Sequence, residues 1–452
     1  MTAGLSPSES ELRDRLAQVM PGVRADLEDL VRIPSVWAQP EHRHDVHRSA
    51  EAVAQLLRGA GFAQVDVVSE GGAPAVIAHH PAPAGAPTVL LYAHHDVQPT
   101  GDPAAWTSAP FEPTERGARL YGRGAADDKA GIAAHLAAFR AHGGAPPVGV
   151  TVFVEGEEES GSPSLLRLLE VHHDRLAADV IIIADSANWD IGVPALTVSL
   201  RGLADCVVEV RTLDHAVHSG LWGGVAPDAL TTLCRLLATL HHPDGSVAVA
   251  GLVASAAADL DYPEARVRAE SSMLDGVRQL GTGSVVSRLW NAPAIAVIGL
   301  DAPTVAASSN TLVPVARAKV SLRVPPGTDA AAALHALTEH LHANVPWGAH
   351  LTIVAGETGQ PYAIDATGPA YDAARSSFRD AWHGTEPVDM GMGGSIPFIA
   401  EFARAFPDAS VLVTGVEDPD TRAHGIDEGL HLAEFERVCL AETLLLARLA
   451  RR

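Results

Sequence analysis

Apolar and polar positions alternate along this chain in two rhythms. In roughly the first two hundred residues, short apolar runs take turns with stretches of helical spacing. Residues 10–33 have that helical spacing, with Pro21-Gly22 as a point of bending. "DVHRSAEAVAQLLRGAGF" repeats it and runs into Gly59 and Gly61, which predict its stop. "AQVDVV", "PAVIAHH", "PTVLLYAHHD", "GVTVFV" and "DVIIIAD" predict strands, and "DKAGIAAHLAAFRAHGG" and "SPSLLRLLE" predict helices. Apolar strands alternating with helices predict an α/β fold: a mixed, largely parallel sheet flanked by helices.

The rhythm changes near residue 195. "ALTVSLRGLADCVVEVRT" alternates in part and reads as one longer strand. After it come helix "DALTTLCRLLATLHH", strand "ARAKVSLRVPPG", helix "DAAAALHALTEHLHANV" and strand "HLTIVAG". These predict a smaller α+β unit inserted into the first. The earlier rhythm returns with helix "PAYDAARSSFRDAW", strand "ASVLVTG" and a last helix from near Leu430. The expected division is 1–196 and 364–452 as one domain, interrupted by 197–363.

The chain has 452 residues and a formal charge of -23, which argues against nucleic acid or an anionic membrane as a partner. Its 3 cysteines form no CxxC pair, so neither a disulfide framework nor a thiolate zinc site is expected, and a reducing cytoplasm fits. The N-terminus lacks the basic and apolar regions of a signal peptide, and no apolar run reaches membrane-spanning length.

The chemistry lies at strand ends. "TVLLYA" ends in His94-His95-Asp96, "GVTVFV" in the acids of "EGEEESGS", and "DVIIIA" in Asp185. In open α/β sheets, ligands bind outside the carboxyl ends of the strands. "LYGRGAADDKAG" adds Asp127 and Asp128 where a glycine-rich turn enters a helix, and "RAHGIDEG" adds His424. Nitrogen and oxygen donors without cysteine suit zinc, manganese or cobalt. Take His94, Asp127, Glu159, Asp185 and His424 as ligands. If Asp127 bridges two metals, each gets one histidine, one terminal carboxylate and the bridge. A shared water then fills the open position of a catalytic site. With no bridge, the five make one crowded site. Glu158 would point at the metal-bound water and act as general base.

The segments "YAHHDVQP", "YGRGAADDKAG", "EGEEESGS", "IIIADS" and "AHGIDE" resemble, in order, the five ligand segments of the M20 family of dinuclear metallopeptidases. The wording "DVQP" and "HSGLWGG" is most similar to the carnosinase-like dipeptidases of that family. The resemblance implies a catalytic domain from 1–196 and 364–452 and a lid and dimerisation domain from 197–363. It implies two divalent metal ions, zinc foremost, paired as His94 with Asp185 and Glu159 with His424, with Asp127 between them. Asp96 would orient His94, Glu158 would be the base, and His218 would stabilise the oxyanion, often from a partner subunit of a homodimer. Arg323 would bind the substrate carboxylate, and Gly393, Gly394 and Ser395 would form a substrate-binding turn. Gly391 and Met392 stand where the dipeptidases of the family carry an arginine and an acid, the acid helping to hold the substrate's free amino group.

The function implied is hydrolysis of the amide bond of dipeptides or similar small amino-acid conjugates. Deacylation of N-acyl or N-carbamoyl amino acids is the alternative. A non-catalytic binding relative is a third reading, against which the full ligand set and Glu158 argue. Outside the motifs, His95, His135, His142, His335, His340 and His342 are expected at the surface. Asp128 is expected equally as a helix N-terminal acid or in a catalytic role, and Lys129 as structural or solvent-facing.

Overall fold

A computed structural model describes residues 7–255, 260–393 and 397–451. The chain divides into two compact units: 1–198 with 365–390 and 401–452, and 199–364 with 391–400.

The first unit is built on a sheet whose strands lie in the order Gln64–Val68, Ala75–His80, Gly149–Glu155, Thr88–His94, Val180–Ile183, Ser410–Val413, Ala195–Leu200. The middle four strands are mutually parallel. The flanking pairs are antiparallel, so the sheet is mixed with a parallel centre. Every residue of 149–155 and 180–183 is buried, which is why these strands read as apolar runs without alternation. Helices Glu9–Val31, Lys129–Ala141, Pro369–Ala381 and Leu432–Leu449 pack against one another around it.

Helix 9–31 begins at a capping box of Ser8 with Glu11 and continues through Pro21 without a break. Helix Arg43–Ala60 runs past Gly59 and stops at Gly61, whose φ of 111° is one that a side chain disfavours. Lys129 opens the third helix and is wholly buried. Its Nζ donates to Leu30 O at 2.9 Å and Ile33 O at 2.7 Å, adding a second donor to backbone carbonyls at and just past the end of helix 9–31 that already accept backbone N–H groups.

The second unit holds an antiparallel sheet in the order Ala294–Asp301, Val315–Val324, Gly202–Arg211, His350–Gly359. Helices Ala229–Ala238 and Ala330–Asn344 cover one face, where Cys206, Val208, Leu233, Leu236, Val320 and Leu337 form the core. Alternate residues of 315–324 point inward, so Arg317, Lys319 and Arg323 share the opposite face.

One expectation of the fold needs correction. The predicted single strand at 195–212 is two strands in different sheets, broken at Arg201. Glycine is required where the second strand begins, because a Cβ at Gly202 would lie 2.5 Å from Gly359 O. Arg201 is itself buried, with its N–H on Met392 O at 3.2 Å. The strand 294–301 was not foreseen. It is an edge strand whose apolar residues Val297, Ile298 and Leu300 are exposed, so no buried alternation marks it.

Candidate active site

Neighbouring strand ends in the first unit bring the acids together. Strand 88–94 ends in His94. Beside it, strand 149–155 leads into the turn Glu158–Ser160, and strand 180–183 leads to Asp185. Asp127 precedes helix 129–141, and His424 precedes strand Gly429–His431.

The side chains form two groups. Donor atoms of His94, Glu158 and Asp185 lie within 4.8 Å of one another, as do those of Asp127, Glu159 and His424. Asp127 joins the groups, with Oδ1 3.2 Å from His94 Nε2 and Oδ2 3.0 Å from His424 Nε2. Glu159 Oε2 is 3.1 Å from His424 Nε2. Asp185 Oδ2 and Glu158 Oε2 are 3.8 and 4.0 Å from His94 Nε2.

Asp96 sets several of these orientations. His94 Nδ1 lies 3.1 Å from Asp96 O and 3.5 Å from its Oδ1, which leaves Nε2 toward the cluster. The same carboxylate accepts the amide N–H of Glu158 at 3.1 Å and of Glu159 at 3.2 Å. One buried aspartate therefore aims a histidine and pins the turn that carries both glutamates.

The charges show what the cluster is suited to hold. Burial, then Asp185, pushes the Glu158 carboxyl well above its usual pKa. Burial raises Asp185 to about 7, with Asp127 and Glu159 adding to the shift. Burial opposes charge on His94, but hydrogen bonds to Asp127 and Asp96 outweigh it, and its pKa lies well above that of ordinary imidazole. Hydrogen bonds to Asp127 and Glu159 lift His424 to about 11. Acids this crowded hold protons unless cations neutralise them. A bridging carboxylate, two imidazole Nε2 atoms and flanking carboxylates fit a pair of divalent cations in kind and in placement.

Several supporting residues escaped the sequence reading. Gln98 holds Glu159, its N–H on Oε1 at 3.1 Å and its Nε2 on Oε2 at 2.8 Å. Glu428 accepts the amides of Gly124, Ala126 and Asp127 at 3.0, 2.9 and 3.1 Å, fixing the turn that presents Asp127. Arg123 Nη1 meets the same carboxylate at 2.7 Å. Gln98 and Glu428 stand inside the motif segments, but no periodicity distinguishes them. Asp128 makes no cap with its side chain; its Oδ2 accepts His94 N–H at 3.2 Å. Glu155 is buried and accepts the Tyr92 hydroxyl at 2.8 Å, and Glu157 accepts Ala73 N at 3.0 Å and Ser164 N at 2.8 Å.

Three histidines expected at the surface are buried. His95 Nε2 meets Pro74 O at 2.8 Å, His135 lies between Glu442 Oε1 at 2.8 Å and Tyr92 O at 3.0 Å, and His142 meets Thr443 O at 3.0 Å. Each has a hydrogen-bond partner distant in sequence, which local pattern cannot reveal. His335 and His342 are exposed, and His340 is half-buried against Thr239 O.

In the second unit His218 is exposed and caps the short helix Ser219–Trp222. Its Nδ1 accepts Gly220 N–H at 3.0 Å, which puts the imidazole proton on Nε2. Arg323 is half-buried on the open sheet face. Arg201 escaped the sequence reading: burial, then the nearby Arg323 charge, brings its pKa to about 10, and its Nε donates to Gly393 O at 3.2 Å. Gly394 and Ser395 lie outside the described residues.

Residues 90–448 match peptidase family M20/M25/M40. This chain belongs to that family. A cysteinylglycine-S-conjugate dipeptidase of Corynebacterium striatum is 36% identical over 92% of this chain and 93% of its own. The human beta-Ala-His dipeptidase is 28% identical over 88% of this chain and 83% of its own. Among solved structures, the di-peptidase Dug1p of Saccharomyces cerevisiae superposes with a TM-score of 0.81 over 99% of this chain and 100% of its own, at 22% identity. The M20 metallopeptidase fold thus carries the two groups joined by Asp127. Among the described residues, no helix is long and apolar enough to cross a membrane.

Proposed function

We propose that this M20 enzyme is a dinuclear metallodipeptidase. The observation that carries the reading is Asp127, whose two oxygens each face the imidazole of a different donor group. His94 and Asp185 would hold one divalent cation, Glu159 and His424 the other, with Asp127 shared. Zinc suits these donors best, with manganese or cobalt able to replace it. When bound, the cations polarise a peptide carbonyl and acidify a water.

The chain's own groups do the rest. Glu158, aimed by Asp96, takes the proton of the attacking water and delivers it to the leaving nitrogen. His218 presents an Nε2–H donor, suited to the negative charge that develops on the carbonyl oxygen. Arg323 holds the substrate's carboxylate, and Gly394 and Ser395 its backbone. The second unit serves as lid and as the contact of a homodimer, and the protein works in the cytoplasm.

A dipeptide substrate is supported by the dipeptidase relative at 36% identity. Gly391 and Met392, in place of an arginine and an acid, favour the second reading, a deacylase of N-acyl or N-carbamoyl amino acids. A substrate panel on the metal-loaded enzyme separates them. Free dipeptides should be cleaved at least tenfold better, by kcat/KM, than N-acyl and N-carbamoyl amino acids, about 1.4 kcal/mol in transition-state binding. The reverse order overturns the dipeptidase.

A further inference from the structure

One acid beside the cluster has no part in these roles. Glu417 follows strand 410–413, which lies parallel to strand 180–183. Its backbone is tied at both ends: its N–H donates to Ser186 O at 3.3 Å, and its carbonyl accepts Asn188 N–H at 2.8 Å. It bridges in parallel to Ala187, just beyond Asp185, so it sits at the same strand ends as the cluster. Asp127, Asp185, Glu428 and His424 all act on its carboxyl electrostatically.

The half-buried Glu417 side chain has no hydrogen bond or ion pair among the described residues. Of these, Asp127 is engaged by His94 and His424, and Glu428 by Arg123. The two donor groups are complete without Glu417. A half-buried carboxylate without a partner is suited to a cation that arrives with a ligand.

A dipeptide brings such a cation. Its free ammonium nitrogen is two bonds from the scissile carbonyl carbon, about 2.5 Å away at standard bond lengths. The acid that receives it must border the reacting carbonyl without being consumed by the metals. Glu417 lies at the strand ends beside Asp185 and outside both donor groups, whereas Gly391 and Met392 offer no charge. We propose that Glu417 receives the substrate's free ammonium group and so selects unblocked N-termini. This rests on the dipeptidase reading and names its specificity residue. An acylated or carbamoylated nitrogen is neutral and would leave the carboxylate unpaired, which is how a site rejects an analogue.

The test uses full-length, metal-loaded enzyme, the free dipeptide that it cleaves fastest, and the N-acetyl form of that dipeptide as competitor. Glu417→Gln should load both metals as the wild type does. It should raise KM for the free dipeptide about 10- to 100-fold, the range of a charged hydrogen bond. The inhibition constant of the N-acetyl form should stay within twofold, or fall. Glu417→Asp, which keeps the charge, should recover part of the lost affinity. Loss of metal, equal weakening of both ligands, or an unchanged KM in Glu417→Gln each overturns the Glu417 assignment while leaving a dipeptidase standing. A wild type that cleaves acylated amino acids and no free dipeptide overturns the dipeptidase reading itself, and this inference with it.

Discussion

Glu158 and Glu159 are adjacent in sequence but fall into different donor groups. That separation makes their roles testable. Glu158→Gln should keep both metals and lower kcat by about 10²–10⁴-fold, the usual worth of a general base. Glu159→Gln should lose affinity for one metal of the two. Metal analysis of the dialysed variants, read beside kcat, checks both. If Glu158→Gln loses metal and an excess of metal restores full rate, the roles are exchanged. Gln98 makes a sharper case, because it touches only Glu159 in the cluster, and does so through three hydrogen bonds. Gln98→Ala removes the two from its side chain and should weaken the same metal by about 10–100-fold, as loss of an orienting partner does. Chelator competition reads the constant. Equal weakening of both metals would mean that Gln98 supports the whole cluster.

At the scale of elements, the strand ends were legible because each apolar run stops at a donor. "TVLLYA" before His94 and "VIIIA" before Asp185 needed only the rule that parallel strands present ligands at their carboxyl ends. The break at Arg201 was not legible. Apolar residues stand on both sides of it, and the close approach of Gly202 to Gly359, which leaves no room for a side chain, depends on a strand distant in sequence. The buried His95, His135 and His142 were hidden for a related reason: their partners lie on other elements. Glu428 was hidden too, although it organises an element. It collects the amides of the 124–127 turn and the Arg123 guanidinium, all out of water. Glu428→Ala leaves Arg123 charged and unpaired in the interior. It should destabilise the protein by about 3–5 kcal/mol, the cost of breaking a buried pair. Urea unfolding of the metal-free form measures this without the contribution of bound cations. A loss under 1 kcal/mol would show that the turn holds its shape without the carboxylate.

At the scale of the whole molecule, cation binding and stability are linked. A ligand that binds only the folded chain stabilises it by about 2.7 kcal/mol at a hundred times its Kd. Chelation should therefore lower Tm, and re-addition of metal should restore it. The pKa values of His94 and His424 are raised in the absence of cations, so protons and metal compete for them. Loading should release protons, and the stabilisation should shrink as pH falls. Titration calorimetry in two buffers of different ionisation enthalpy counts the protons released; a count of zero contradicts protonated imidazoles.

At this scale a second copy of the chain can supply a group to the site. The sequence places His218 far from every donor segment, in the second unit, and its exposed imidazole carries an Nε2 proton toward solvent. A donor of this kind is worth roughly 2.7–4 kcal/mol to a developing oxyanion. If it acts across a two-fold dimer, each site borrows one histidine from the partner. An inactive His218→Ala chain is then mixed with an inactive Glu158→Ala chain under conditions that exchange subunits. In a trans arrangement the mixed dimer holds one site lacking both groups and one site intact, so activity returns. In a cis arrangement every site lacks one group, and none recovers. No recovery, with exchange verified by mass, rules out the borrowed histidine and leaves the metal cluster standing, because all its donors belong to one unit of one chain.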